Sequence, residues 1–482
     1  MRNKKDLYLG DKKNYYKKNK RNKYRDRSSN KRWISIILVF FLAILLGFGT
    51  FYLTNMHLNN NDDTIIRQEA IRKGNNISEV DGDGLSTFNT SLIGENDNSI
   101  ISEEPVAVES SKVDNNNTDN DALDNNENAD TSGDNKTDNF MLDFVDTRTP
   151  VKVKGIYVTG PRAGSKEYIT ELIQLVDTTE LNAMVLDIKN DSGEITYKMQ
   201  IDEVISIGSG VNYISDIKGL IDELKAHNIY LIARIVAFKD PLLAEKKPEL
   251  SLTKENGKVF KDKNGLQWVN PYKKEVWDYL IKIAKEAVNL GFDEIQFDYI
   301  RFATEASIKD VDFGEEAIDV SKEDIITEFT KYACEQLKPL GVYVSADVYG
   351  TIIDSKVDAK IVGQSYVDMA KYLDYIYPMI YPSHYANGAY GIEYPDTLPY
   401  DLILNVLNRS NSSLKELNNY KNKAIVRPWL QDFTAKWLKN HIEYGPEEIR
   451  AQIDAVYDSG YEEWILWNGS NNYTKEGLLE NE

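Results

Sequence analysis

The stretch DEIQFDYIRF, Asp293 to Phe302, alternates apolar and polar residues, as a strand with one greasy face does. Its other face carries Gln296 and Asp298, and Arg301 follows near the end. A carboxylate at the C-terminal tip of so apolar a strand has two readings. It is a structural ion-pair partner, or the strand delivers it to a site.

Seven further stretches share this texture: KGIYVTG (154–160), NAMVLDIKN (182–190), IYLIARIVAF (229–238), GVYVSADVYG (341–350), DYIYPMIYP (374–382), KAIVRPWLQDF (423–433) and EEWILWN (462–468). Helical patterns lie between them, among them KEYITELIQLVDTTE, SDIKGLIDELKAHN, YKKEVWDYLIKIAKEAVNLG and PEEIRAQIDAVYDSG. Gly291 and Gly460 follow helical stretches as C-terminal caps do, and Pro446 stands where a first helical turn accepts proline. Eight strands alternating with helices predict an α/β fold, a (β/α)₈ barrel over residues 147–482. A doubly wound sheet is the alternative, but it would show a Gly-rich first turn of the G-x-G-x-x-G type. The first turn here is VTGPRAGS; an ordinary turn explains it better than a phosphate cradle.

Active sites of such barrels form at the C-terminal ends of the strands. The polar and aromatic residues near those ends are Asp187, Lys189 and Asp191; Arg234, Lys239 and Asp240; Asp298 and Arg301; Asp347 and Tyr349; Tyr377, Tyr381 and His384; Arg427, Trp429, Gln431 and Asp432; Trp467 and Asn468. Cleaving a glycosidic bond takes a proton donor for the leaving oxygen and a carboxylate opposite the anomeric carbon. Aromatic faces suit the C–H faces of sugars, and carboxamides suit their hydroxyls. By alternation Gln296 and Asp298 share one face of strand four, and Ser345, Asp347 and Tyr349 one face of strand five. Adjacent strands lie ~4.8 Å apart, so Asp298 and Asp347 are expected to face one small volume. Arg234 or Arg301 would keep one carboxylate ionised, and crowding would raise the pKa of the other.

Plainer readings stand beside these. Asp298 with Arg234 would serve equally as a strand-to-strand ion pair. Trp268, Trp429 and Trp467 read individually as packing before they read as sugar platforms. His384 has no second histidine near it, so a zinc site lacks support. Cys334, the only cysteine, lies in a helical pattern and reads as a small buried apolar residue. Lys189 is the one candidate for a Schiff base, and Asp187 and Asp191 beside it argue against that role. No cofactor motif is present. The segment from Lys239 to Asn270, which includes NGKVFKDKNGLQWVNP, reads as a small hairpin walling one side of the cleft.

FDYIRF, SADVYG, PMIYPSHY, RPWLQDF and WILWN, in this order, resemble a bacterial family of glycoside hydrolase-like domains, related at a distance to the α-amylase-like barrels. The resemblance covers about residues 150–470. It implies a TIM barrel acting on carbohydrate, with Asp298 matching the nucleophile that α-amylase-type barrels carry at the end of strand four. Their acid/base is a Glu at the end of strand five. Here that position is Asp347, a departure from their pattern. On this reading Asp298 and Asp347 are the catalytic candidates. Asp187, Lys189, Arg234, Arg301, Tyr349, Tyr381, His384, Trp429, Gln431, Trp467 and Asn468 are the candidates for holding a polysaccharide. A barrel that binds polysaccharide without cleaving it is the rival.

The rest of the chain says where such a domain would work. Residues 1–32 hold 14 Lys and Arg against 3 Asp and Glu. WISIILVFFLAILLGFGTFYL, Trp33 to Leu53, then runs 21 residues without a charge, enough to cross a hydrocarbon core of ~30 Å. The cationic flank comes first, so the rule predicts a cytoplasmic N-terminus and an extracellular remainder on a single-pass anchor. The apolar run exceeds an ordinary signal-peptide core of ~7–15 residues. Residues 54–146, rich in Asn, Asp, Ser and Glu, read as a disordered acidic linker. Residues 150–482 carry 37 Lys and Arg against 53 Asp and Glu. That argues against nucleic acid as a partner, since phosphates need clustered cations.

Overall fold

The computed structural model describes residues 146–481 apart from 419, 421 and 422. The basic N-terminal region, the apolar segment Trp33–Leu53 and nearly all of the acidic linker lie outside the described residues. Among the described residues no helix is long and apolar enough to cross a membrane.

Eight strands of the described region close into a parallel barrel. They are β1 (Lys154–Val158), β2 (Ala183–Lys189), β3 (Tyr230–Val236), β4 (Glu294–Asp298), β5 (Tyr343–Tyr349), β6 (Tyr375–Met379), β7 and β8 (Trp464–Trp467). β7 has two pieces, Ile425–Val426 and Trp429–Gln431, parted by Arg427 and Pro428. Every neighbour pairs in parallel, and β8 closes the ring by pairing with β1 at Lys154↔Trp464 and with β7 at Trp429↔Ile465. Closure excludes the doubly wound alternative, whose sheet is open. Each strand is shorter than its sequence pattern at one or both ends.

Helices cross from strand to strand on the outside: α1 (Lys166–Asp177), α2 (Ile217–Ala226), α3 (Lys274–Leu290), α4 (Lys322–Leu337), α5 (Tyr366–Ala370), α6 (Pro399–Ser413) and α7 (Pro446–Asp458). α3 shows why these segments are helical. Val276, Leu280, Ile283, Ala284 and Ala287 recur at three- and four-residue spacing and are all buried, and Gly291 ends the helix with φ 106°, a conformation that suits glycine. α4 starts at Ser321, whose hydroxyl accepts from the Asp324 amide at 3.1 Å.

The pleat of the strands sorts their side chains into two cores. Ile295 and Phe297 of β4, with Val344, Ala346 and Val348 of β5, face the helices and join one continuous apolar shell. Phe329 of α4 meets both Phe297 and Phe238 edge-on at 5.3 and 5.2 Å, and truncating such a ring to Ala costs about 3–5 kcal/mol. The inward faces are unusual for a barrel, whose interior is ordinarily filled by branched aliphatics. Here Tyr157, Tyr230, Tyr343, Tyr375, Tyr377 and Trp429 pack inside with only a few aliphatics such as Val185 and Ile232. Polar residues fill the remaining space. At the N-terminal end Arg427, fully buried, pairs with Glu294 at 2.9 Å and Glu463 at 2.6 Å. Tyr377 and Tyr230 donate their hydroxyls to Glu294, and the Val153 amide donates to Glu463.

Between β3 and α3 the expected hairpin is present as a folded flap. Antiparallel bridges join Ser251 to Val269, Thr253 to Val259 and Lys261 to Gln267, and Thr253–Lys254 pairs with Val311–Asp312 from the β4–α4 connection.

Candidate active site

β4 does not run to Phe302 as its alternation suggests. It stops at Asp298, because Tyr299 has a φ of 47°. A bulky side chain in the left-handed region costs roughly 1–2 kcal/mol and breaks the pleat. The strained residue follows the candidate nucleophile directly. Its amide donates to Asp298 Oδ1 at 2.5 Å.

Asp298 is also the target of Arg234, whose Nε and Nη2 reach Oδ2 at 3.0 and 2.5 Å. All these partners donate, so the site is built for a carboxylate at this position. Arg234 continues to Asp187 through Nη1 at 2.5 Å, and the Tyr157 hydroxyl donates to the other Asp187 oxygen at 2.5 Å. Burial works against the Arg234 charge, but the carboxylates of Asp187 and Asp298 outweigh it and hold its pKa far up. Burial raises the Asp187 carboxyl, with Arg234 opposing.

Asp347 comes from the neighbouring strand. Phe297 pairs with Ala346 in register, so the next residues, Asp298 and Asp347, stand side by side on the inner face. The environment of Asp347 is opposite in kind. It has no guanidinium contact; the Trp429 indole N–H donates to Oδ1 at 2.6 Å. Burial, reinforced by the Asp298 charge beside it, holds the Asp347 carboxyl well above the ordinary carboxylate range, against the pull of the Trp429 donor and Arg234. Two adjacent carboxyls thus sit in different environments, one held by a guanidinium and a backbone amide, the other by an indole N–H.

Aromatic rings surround the pair. Trp467 stacks on Tyr157 at 4.2 Å and 19°, and meets Trp429 edge-on at 5.5 Å. The Arg234 guanidinium lies 5.5 Å from the Tyr157 ring and 5.8 Å from the Trp467 ring. Tyr381 is buried against His384 at 5.2 Å and Trp467 at 6.5 Å. Burial raises its hydroxyl pKa, and the nearby Asp347 and Asp298 charges add to this. His384 is pushed down to about 4 by burial and contacts the Ser383 hydroxyl at 3.0 Å.

The structure brings Asp187, Arg234, Asp298, Asp347, Tyr381, Trp429 and Trp467 together around one volume. His384 joins this group through Tyr381, and the other candidates are engaged elsewhere. Lys189 is wholly enclosed, donates to the Val236 carbonyl at 2.6 Å and pairs with Asp240 at 3.0 Å. Gln431 accepts from the Ser383 amide and hydroxyl and donates to Asp396 and the Phe433 carbonyl, which ties the β6 and β7 loops together. Asn468 donates to the Asp432 and Asn472 carbonyls and accepts from Ser470, closing the loop after β8. Arg301 leaves the pleat with Tyr299 and lies within 5.0 Å of the Trp268, Tyr299 and Tyr349 rings. Trp268 is buried there, its indole N–H on Asp262, so it packs the flap to the barrel and offers no open face. Among the described residues no group of three or more His, Cys, Asp or Glu is arranged to hold a metal ion.

Sequence reasoning missed Tyr157 and the strain at Tyr299. The inward register of KGIYV, with Tyr157 across the strand pair from Val185, was the signal for the first. Nothing in the sequence announces the second.

A family model described as "putative glycosyl hydrolase domain" matches residues 155–473. No curated protein matches the chain. Among solved structures, a hypothetical protein from Ruminiclostridium thermocellum ATCC 27405 is 44% identical over 40% of this chain and 97% of its own, with a TM-score of 0.38. The PgaB (BpsB) glycoside hydrolase domain from Bordetella bronchiseptica is 12% identical over 66% of this chain and 94% of its own, TM-score 0.49. The maltogenic α-amylase AmyB from Thermotoga neapolitana is 14% identical over 66% and 67%, TM-score 0.39. With the family model spanning the barrel from β1 to the loop beyond β8, this chain belongs to the glycosyl hydrolase-like domain family that its five sequence motifs resemble.

Proposed function

We propose that this protein is a membrane-anchored, extracellular glycoside hydrolase that cleaves an envelope or secreted polysaccharide with Asp298 and Asp347. One observation carries the reading: two carboxyls in register on β4 and β5, one clamped by Arg234 and one with its pKa raised by burial. In this scheme Asp347 gives its proton to the glycosidic oxygen as the bond to the anomeric carbon breaks. The Asp298 carboxylate faces the positive charge that develops on the sugar, and water completes the hydrolysis. Arg234 positions Asp298 by fixing Oδ2, and Trp429 fixes the Asp347 carboxyl by its N–H. Half-buried Trp467 supplies ring surface for the sugar, and buried Tyr381 packs beside it.

The rival is a barrel that binds polysaccharide and does not cleave it, a reading that carboxyls pointing apart, or both locked in ion pairs, would favour. Asp298 is locked in an ion pair and Asp347 is not, which favours hydrolysis. The location rests on the sequence: the basic flank, the uncharged 21-residue segment and the acidic linker.

The test uses the full-length chain in a non-glycosidic detergent, with its Asp298→Asn variant, on a panel of bacterial envelope and capsular polysaccharides. New reducing ends from the wild type and none from the variant are the expected result. Undiminished release by Asp298→Asn removes Asp298 from the mechanism. Deleting residues 33–53 is expected to move the protein from the membrane to the soluble fraction; unchanged membrane association refutes the anchor.

A further inference from the structure

The loop after β7 carries a feature that the two carboxylates do not use. Trp437 is 46% exposed, an unusual state for a large flat apolar side chain, and it is the only tryptophan among the exposed large hydrophobic residues of the described region. It is not an isolated surface ring. It stacks on half-buried Phe433 at 5.9 Å and 25°, and stands edge-on to half-buried His384 at 6.4 Å. His384 leads to Tyr381 at 5.2 Å, Tyr381 to half-buried Trp467 at 6.5 Å, and Trp467 to Trp429, which donates to Asp347. Ring contacts therefore run from solvent at Trp437 inward to Trp429, with Trp437 exposed, Phe433, His384 and Trp467 half-buried, and Tyr381 and Trp429 buried. The Gln431 carboxamide, bonded to Ser383 on one side and to Asp396 and Phe433 on the other, fixes the β6 and β7 loops that bear the outer rings. The surface is held in place before any ligand arrives, which lowers the entropy cost of binding.

We propose that Trp437 and Phe433 form a distal platform for a pyranose unit of a polymeric substrate, remote from the bond that is cleaved. The chemistry is that of a flat, partly desolvated apolar face meeting the C–H face of a sugar ring. Three ring-to-ring steps of 6.4, 5.2 and 6.5 Å separate Trp437 from Trp467. The proposal takes the unit at Trp437 to be a different one from the unit at the cleaved bond, which directs the protein to a polymer rather than a disaccharide. The proposal deepens the hydrolase reading and rests on it for the site of cleavage, while the platform itself is tested by binding.

The experiment runs the full-length protein, its Trp437→Ala and Trp437→Phe variants, in native gels containing glycol chitin, de-N-acetylated chitin, alginate or pullulan. Retardation gives a Kd for each polymer, and reducing ends are counted on the same polymers. The expected result is retardation of the wild type by at least one polymer, a Kd roughly tenfold weaker in Trp437→Ala, and recovery of most of the loss in Trp437→Phe. The thermal midpoint should stay near that of the wild type, since the side chain is half exposed. Equal Kd values for all three proteins overturn the platform, as does a wild type that no polymer retards. Weaker binding by Trp437→Ala without reducing ends from the wild type keeps the platform and refutes the hydrolase. Reducing ends with equal binding do the reverse.

Discussion

Replacing Asp347 by Asn separates a catalytic role from a structural one, because the two predict opposite effects on stability. The residue is 2% exposed, and burial together with the Asp298 charge raises its pKa well above the ordinary carboxylate range. The asparagine is a neutral isostere, and its side-chain oxygen keeps the acceptor for the Trp429 N–H now held at 2.6 Å. One neutral hydrogen bond is worth about 0.5–1.5 kcal/mol, so the packing change is within about 1 kcal/mol. The pH dependence has a definite sign. A carboxyl whose folded pKa lies above its unfolded value binds its proton more tightly in the folded state. That preference costs nothing below the unfolded pKa, and wild-type stability is lost as pH rises through the window up to the raised folded value. The variant has no such group, so it should match the wild type in acid and be the more stable of the two at higher pH. Urea unfolding at several pH values measures this. Activity should move the other way. Losing a general acid costs about 100- to 10,000-fold in kcat, and far less on an aryl glycoside whose nitrophenolate leaves without a proton. A variant that is destabilised by several kcal/mol at every pH, or equally impaired on both kinds of leaving group, refutes the assignment of Asp347 as proton donor.

Arg234→Ala leaves two buried carboxylates, Asp187 and Asp298, without their guanidinium; a loss of about 3–5 kcal/mol in chemical unfolding is expected, and an unchanged midpoint would show that the pair is not held as described. Arg234→Lys should restore little, since one ammonium cannot reach both acids with the geometry of a planar fork. Trp429→Phe removes the donor that lowers the Asp347 pKa, so the alkaline limb of the kcat/KM profile should move to higher pH; a limb that stays in place separates Asp347 from that ionisation.

The barrel and its carboxyl pair were legible for a common reason. Parallel strands buried on both faces give long apolar runs, and the inward positions break those runs at every second residue, so Asp298 and Asp347 could be placed on one side by counting. What depended on closure was not legible. Arg427 meets Glu294 from 133 positions away, across the ring from β7 to β4. Lys189, Gln431 and Asn468 were sorted by residue type and strand position, which locate a side chain near the rim without saying which hydrogen bonds consume it. The end of β4 was misjudged because alternation continues through Tyr299 in the sequence while the backbone turns left-handed there.

The buried charges at the N-terminal end of the barrel also govern how the chain can be made. Arg427 and Glu294 lie on β7 and β4, but Glu463 stands at the entrance to β8 and receives the Val153 amide from the entrance to β1. Until the last strand has been synthesised and has docked against the first, the Arg427 guanidinium lacks half of its counter-charge, and the interior aromatic residues have an open seam to water. A partly translated barrel therefore gains little from closing early. Translation stalled before Glu463 should yield a nascent chain dependent on chaperones, and fragments of this barrel should complement one another only when mixed before either has collapsed.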